Sequence, residues 1–278
     1  MAALIFGLMA VLARWAAGVL PAAEIAFVRF AIGLLACAAA ALRVQFRARN
    51  KLGLVLRGAY GGIAVLFYFL AIAHLPVGIA TLLNYTMPVF AALYAAAFLR
   101  EPVARGTLVA LAMTTLGVAI VIAGTAPTGG FAFGLWHLVG LGSAMFSGAA
   151  VATIRQVRKT DGSWEIFAAF CIAGAAVTGP PAMLQWRWPT PLAWAALVGV
   201  GVTSVVAQLL MTHALRYVRA AVGGVIAQLT PVSSLAFGWL MLDERIGGLA
   251  IGGAALTLAG VTLGTYLAST REPDEVGD

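Results

Sequence analysis

Residues 77–99 read VGIATLLNYTMPVFAALYAAAFL, an apolar run without a charged side chain. At a helical rise of 1.5 Å per residue such a run crosses a hydrocarbon core about 30 Å thick. Around it the chain has the same character. Its 278 residues are 62% hydrophobic and 10% charged, with a mean hydropathy of +0.99. A soluble domain carries about a quarter charged residues, so the solvent for most of this surface is lipid. Similar runs are predicted at 2–20, 22–42, 53–74, 77–99, 103–124, 134–155, 163–185, 191–213, 219–242 and 246–268. They are continuous and rich in Ala, Leu and Gly, whereas a barrel strand alternates apolar and polar residues. The expected class is all-α integral membrane, with ten transmembrane helices. The first run lacks a basic n-region and a cleavage site and reads as a span, not a signal peptide.

Short-loop Lys and Arg mark the cytoplasmic side. The side of the N-terminus receives Arg43, Arg47, Arg49, Lys51, Arg57, Arg100, Arg105, Arg155, Arg158, Lys159, Arg216, Arg219 and Arg271; the other side holds only Arg187 and Arg245. Both termini are therefore expected in the cytoplasm. The formal net charge of +7 reads as an orientation signal and not as a polyanion site, and no nucleic-acid partner is expected. Cys37 and Cys171 lie in apolar runs and imply no disulfide framework.

The chain matches itself. At an offset of 143, Pro88 falls on Pro231, Glu101 on Glu244, Thr114 on Thr257 and Gly117-Val118 on Gly260-Val261; at 141, Gly7 falls on Gly148, Arg14 on Arg155 and Glu24 on Glu165. Five spans per copy is an odd number, so the second copy crosses the membrane in the opposite sense. Inverted repeats of this kind build alternating-access transporters, with the substrate near the midplane. The expected units are 1–126, 127–270 and a cytoplasmic tail at 271–278.

The segment 68–103, YFLAIAHLPVGIATLLNYTMPVFAALYAAAFLREPV, followed by TLGVAIVIAG at 115–124, resembles the end of an EamA domain of the drug/metabolite transporter superfamily. The pattern returns as AAVGGVIAQLTPVSSLAFGWLMLDERI at 220–246 and LAGVTLG at 258–264, and Arg29-Phe30 resembles the basic residue usual in the second span. The resemblance implies a ten-helix exporter of small metabolites in the bacterial cytoplasmic (inner) membrane. Within the superfamily the chain is most similar to the amino-acid exporters, including the aromatic type.

Polar groups inside spans are costly and are candidates for function. Thr81, Asn84, Tyr85 and Pro88 follow i, i+3, i+4, i+7 and share a helical face; Gly224, Gln228 and Pro231 make the corresponding face of the ninth span. These faces are the expected cavity walls, although Asn and Gln also hydrogen-bond neighbouring helices. The prolines serve as hinges or packing kinks. Tyr60, Phe67 and Tyr68 lie on one face of the third span beside Gly58 and Gly62, and Ser204, Gln208, Met211 and Thr212 lie on one face of the eighth. Trp15, Trp164, Phe170 and His213 are weaker candidates. Trp136, Trp186, Trp188 and Trp194 fall at interfaces, where indoles gather.

Arg14, Glu24 and Arg29 are close along a hairpin. They are expected to pair with one another, as a structural network or as an external gate or substrate-carboxylate contact. Glu101 and Glu244 are expected to be solvated or to pair locally. No carboxylate falls in the middle third of a span, so a zwitterionic or neutral amphipathic cargo is expected. No metal site, cofactor or catalytic constellation is indicated: His74, His137 and His213 fall at the ends of different helices. The chain is expected not to be an enzyme. A channel or scramblase shares the topology. The sequence leaves the oligomeric state open, and a monomer is consistent with it.

Overall fold

Lipid offers no partners to backbone N–H and C=O groups, so a spanning chain must bond them within helices or a closed barrel. The computed structural model describes residues 1–99, 105–125, 134–214, 227 and 229–269, and every regular element among them is a helix. In chain order these are α1 (Ala2–Ala16), α2 (Ala22–Ala41), α3 (Lys51–His74), α4 (Val77–Asn84), α5 (Met87–Leu99), α6 (Arg105–Thr125), α7 (Leu135–Val157), α8 (Ser163–Leu184), α9 (Pro191–Ala214), α10 (Leu229–Leu242) and α11 (Gly248–Ser269). Among the described residues, α2, α3, α8 and most of α7 and α9 are each long and apolar enough to cross a membrane; the other apolar stretches are shorter.

The expected fourth span is divided in two. Pro88 lacks an N–H and its ring crowds the carbonyl four residues earlier, so the chain turns at Tyr85 and Thr86, between α4 and α5. The Thr86 hydroxyl and N–H both return to the Leu83 carbonyl, at 2.7 and 3.2 Å. Pro88 thus sits in the first turn of α5, where proline is tolerated. Of the expected ninth span, α10 accounts for residues 229–242. Gly224 and Gln228 lie outside the described residues.

Packing crosses between the N-terminal and C-terminal halves of the chain. α6 packs on α11, α2 on α8 and α9, α3 on α7 and α8, and α1 on α9 and α10. Small residues allow the closest approaches. Gly117 faces the Thr257 hydroxyl and backbone, and Gly260 faces the Thr114 hydroxyl and backbone. Likewise Gly7 lies against Ser233 and the Ser234 N–H, while Gly148 lies against Phe90 and the Ala91 N–H. Gly58 and Gly62 of α3 seat on Ala169, Ala173 and Gly174 of α8. A side chain at any of these glycines would strike a neighbouring helix.

Two loop contacts repeat this reciprocity. Glu24, at the start of α2, accepts the Arg187 N–H at 3.1 Å; Glu165, at the start of α8, accepts the Arg47 N–H at 3.1 Å. Beside the second contact, Asp161 accepts the N–H groups of Arg49 and Asn50 at 2.7 and 3.0 Å.

Candidate functional site

The polar face of α4 is distributed among its neighbours. The Tyr68 and Thr81 hydroxyls are 2.8 Å apart, and Thr81 donates to the Val77 carbonyl at 2.7 Å. Asn84 donates to the Ser143 and Ser147 hydroxyls of α7 at 2.9 and 3.3 Å. Thr230 of α10 is within hydrogen-bonding reach of the Tyr85 hydroxyl. Three residues on one helical face therefore reach α3, α7 and α10. Thr81 is fully buried, whereas Asn84, Tyr85 and Pro88 keep part of their surface. Pro231 is buried in the first turn of α10.

The aromatic stripe of α3 also divides. Tyr60 and Phe67 meet Phe146 of α7, with ring centroids 6.5 and 5.7 Å away, and Tyr68 turns to Thr81 and Phe69. Phe146 had no marker in the sequence: it sits among small apolar residues on a helix whose facing cannot be read from its pattern. Gln208 and Met211 are part-buried on α9. The side chains of Thr212 and His213 lie outside the described residues. Trp164 packs on Phe167, 6.3 Å between centroids, and Trp15 is 40% exposed, which sets it on the bundle's outer surface. Trp136 stacks on His74 at 3.4 Å.

The charged residues do not form the expected hairpin network. Arg14 turns to the other half, its Nε 3.0 Å from Glu244 Oε1, and its Nη1 donates to the Ile72 and Ala73 carbonyls at 3.1 and 2.6 Å. Glu244 Oε2 accepts the Val77 N–H at 2.8 Å. One ion pair thus caps the last turn of α3 and the first turn of α4, two places where helical backbone groups lack partners. Glu244 reaches there because Asp243 adopts φ 56°, a left-handed turn that Asp tolerates. Glu24 is buried among apolar groups and bonds the α8–α9 loop instead of Arg14 or Arg29. A cleft of about 280 Å³ opens at this end, lined in part by Leu20, Pro21, Ala73, His74, Gln185 and Arg187.

Deeper in the bundle, Arg29 donates from Nε to the Ser204 hydroxyl at 2.6 Å. Arg57, counted with the cytoplasmic marks although it falls inside the expected span at 53–74, lies within α3 and is buried. The two guanidinium carbons stand 5.5 and 4.5 Å from the centroid of the same Phe170 ring. Cys37 and Cys171, both free, adjoin one another nearby. Among the described residues neither arginine has a carboxylate partner.

Apolar helices crossing between halves, one of them broken and lined with hydroxyl and amide groups, define a multi-pass membrane protein with its polar chemistry inside. The chain belongs to the EamA-like transporter family, which matches it twice, at residues 1–123 and 134–266. It is 31% identical over 260 residues to the pseudopaline exporter CntI of Pseudomonas aeruginosa, in strains UCBPP-PA14 and PAO1, covering 92% of this chain and 90% of the relative. An uncharacterized transporter of Archaeoglobus fulgidus is 25% identical over 86% of this chain and 85% of its own. A solved crystal structure superposes with a TM-score of 0.65 at 24% identity, over 98% of this chain and 96% of that one, and supports the fold. The chain is accordingly a membrane transporter of that family.

Proposed function

We propose that this chain exports small amphipathic metabolites of the amino-acid type from the bacterial cytoplasm, by alternating access between two inverted five-helix halves. The halves are residues 1–126 and 127–270, the tail is 271–278, and both termini are cytoplasmic. The observation that carries this reading is the pair of equal latches, Glu24 to the Arg187 N–H and Glu165 to the Arg47 N–H, each at 3.1 Å. The two carboxylates are repeat-equivalent, each bonds the other half, and in an inverted repeat the latches lie at opposite ends of the bundle. A bundle with matched latches at its two ends can open either one while the other holds. The reciprocal glycine contacts of Gly117 and Gly260 supply an axis on which the halves rock.

The cargo path runs between α3, α4, α7 and α10. Asn84 and Tyr85 at the helix break, with Tyr60, Phe67 and Phe146, offer amide, hydroxyl and aromatic surfaces suited to an amphipathic metabolite. Full-length protein in proteoliposomes should give saturable uptake and counterflow of at least one of Phe, Trp, Met and pseudopaline, the cargo in the relatives' name. Flux that never saturates and shows no counterflow would make the chain a channel or scramblase. No flux of any of the four would remove the substrate class.

A further inference from the structure

Resting on the exporter reading, we propose that Arg29 and Arg57 form a subsite for a carboxylate of the cargo. Arg29 is 6% and Arg57 7% exposed, so both guanidiniums have left water almost completely. Arg29 Nη1 and Arg57 Nε are buried with no hydrogen-bond partner, although each is an N–H that a folded protein normally satisfies. They belong to two cations that face the same ring and interact electrostatically with each other.

Among the described residues no carboxylate neutralises them. A charged side chain in a membrane is costly unless it is paired, and an aromatic face offsets that cost without neutralising the charge. Among the described residues Glu244 is held by Arg14, and Glu24 bonds the Arg187 N–H through Oε2 while its Oε1 is buried without a hydrogen-bond partner. The arrangement nevertheless keeps room for the charge: a Cβ at Gly61 would occupy the place of Arg57 Nη1. It also belongs to one half only, because the offset of 141 that carries Glu24 to Glu165 carries Arg29 to Phe170.

The missing member is an anion. A carboxylate accepts two parallel N–H bonds from a guanidinium fork, and here two guanidiniums stand against one ring. Ser204 accepts from Arg29 and keeps its own hydroxyl proton to donate, and Tyr68 lies within electrostatic range of Arg29. The cargo therefore carries a carboxylate whose charge the protein answers. Of the zwitterionic or neutral cargoes expected from the scarcity of acidic residues in the spans, this selects the zwitterionic kind.

The test compares N-acetyl-L-phenylalanine with N-acetyl-L-phenylalaninamide, which differ at the carboxylate alone, as ligands of the purified full-length protein followed by thermal unfolding. The acid should bind at least about tenfold more tightly, the worth of one charge-assisted hydrogen bond. Arg57→Gln and Arg29→Gln should erase that preference, and Arg29→Lys should retain part of it, since the charge stays and the fork goes. Equal binding of acid and amide by the wild-type protein overturns the subsite without requiring any variant to fold. Inorganic phosphate binding as tightly as the acid makes the site one for a phosphoryl group and overturns it as well. Proteoliposomes separate the two readings: flux of acid and amide alike sinks the subsite and leaves the exporter. Preferential binding of the acid with no flux of Phe, Trp, Met or pseudopaline sinks the exporter and leaves the subsite.

Discussion

Arg14 and the Arg29–Arg57 pair put one kind of side chain into one bundle under opposite terms. At the end of the bundle Arg14 has a carboxylate and two backbone carbonyls, and its partner caps α4. In the interior, Arg29 has one serine, and both arginines share one phenylalanine. The first arrangement is complete without a ligand and holds helices together. The second is left short of an anion, and a charge kept in that state costs stability that a structural role would not require. Satisfaction of hydrogen bonds, more than depth or residue type, separates the arginine that builds from the arginines that bind.

Glu244→Ala should show the largest effect. It leaves Arg14 unpaired and the Val77 N–H without an acceptor, at a cost of about 2–3 kcal/mol, and the melting temperature of the purified protein should fall by several degrees. Arg57→Gln should leave that temperature unchanged or raise it, because a buried cation without a counter-ion is removed. A fall as large as that of Glu244→Ala would erase the distinction and make Arg57 a structural residue. Asn84→Ala stands between these cases: it removes two bonds, but Ser143 keeps the Gly140 carbonyl as its partner. A loss of about 1 kcal/mol or less is expected, as for polar contacts between membrane helices, together with slower transport. Unchanged transport would move the cargo path away from the α4–α5 break.

The sequence revealed what depends on composition and period: the apolar runs, the all-helical class and the duplicated marks at Pro88, Gly117 and Thr114. It did not reveal partners across the halves. Arg14 and Glu244 are 230 positions apart, and the offsets that mark both as repeat positions do not say which copy each will touch. Arg29 was visible as a charge within a span. Arg57 fell inside the expected span at 53–74 but was counted with the cytoplasmic marks, because six residues from the start of a helix that follows a basic loop it is indistinguishable in the sequence from one of them. Burial decides between these readings, and burial depends on the packing of α3 on α8. The break at Tyr85 was half legible: Pro88 announced a disturbance, but its steric effect falls on the preceding turn.

Asp161 sharpens the contrast at the other end of the bundle, with the smallest effect. It lies in the loop between α7 and α8, outside the membrane-spanning segments, and its carboxylate accepts the Thr160 hydroxyl at 2.6 Å as well as the N–H groups of Arg49 and Asn50. These bonds, that of Thr160 foremost, favour the charged form and hold the carboxyl below the usual aspartate range. A group whose pKa is lower folded than unfolded stabilises the fold fully above its unfolded value, about 3.9, and loses that contribution as pH falls through its folded value. The melting-temperature difference between wild type and Asp161→Asn should therefore be constant from pH 7 to about pH 5 and shrink below about pH 4. A difference that stays constant down to pH 3 would mean that Asp161 holds the 43–50 loop by shape alone. Arg14 and Asp161 at the ends of the bundle would then differ less from Arg29 and Arg57 inside it than their hydrogen bonds imply.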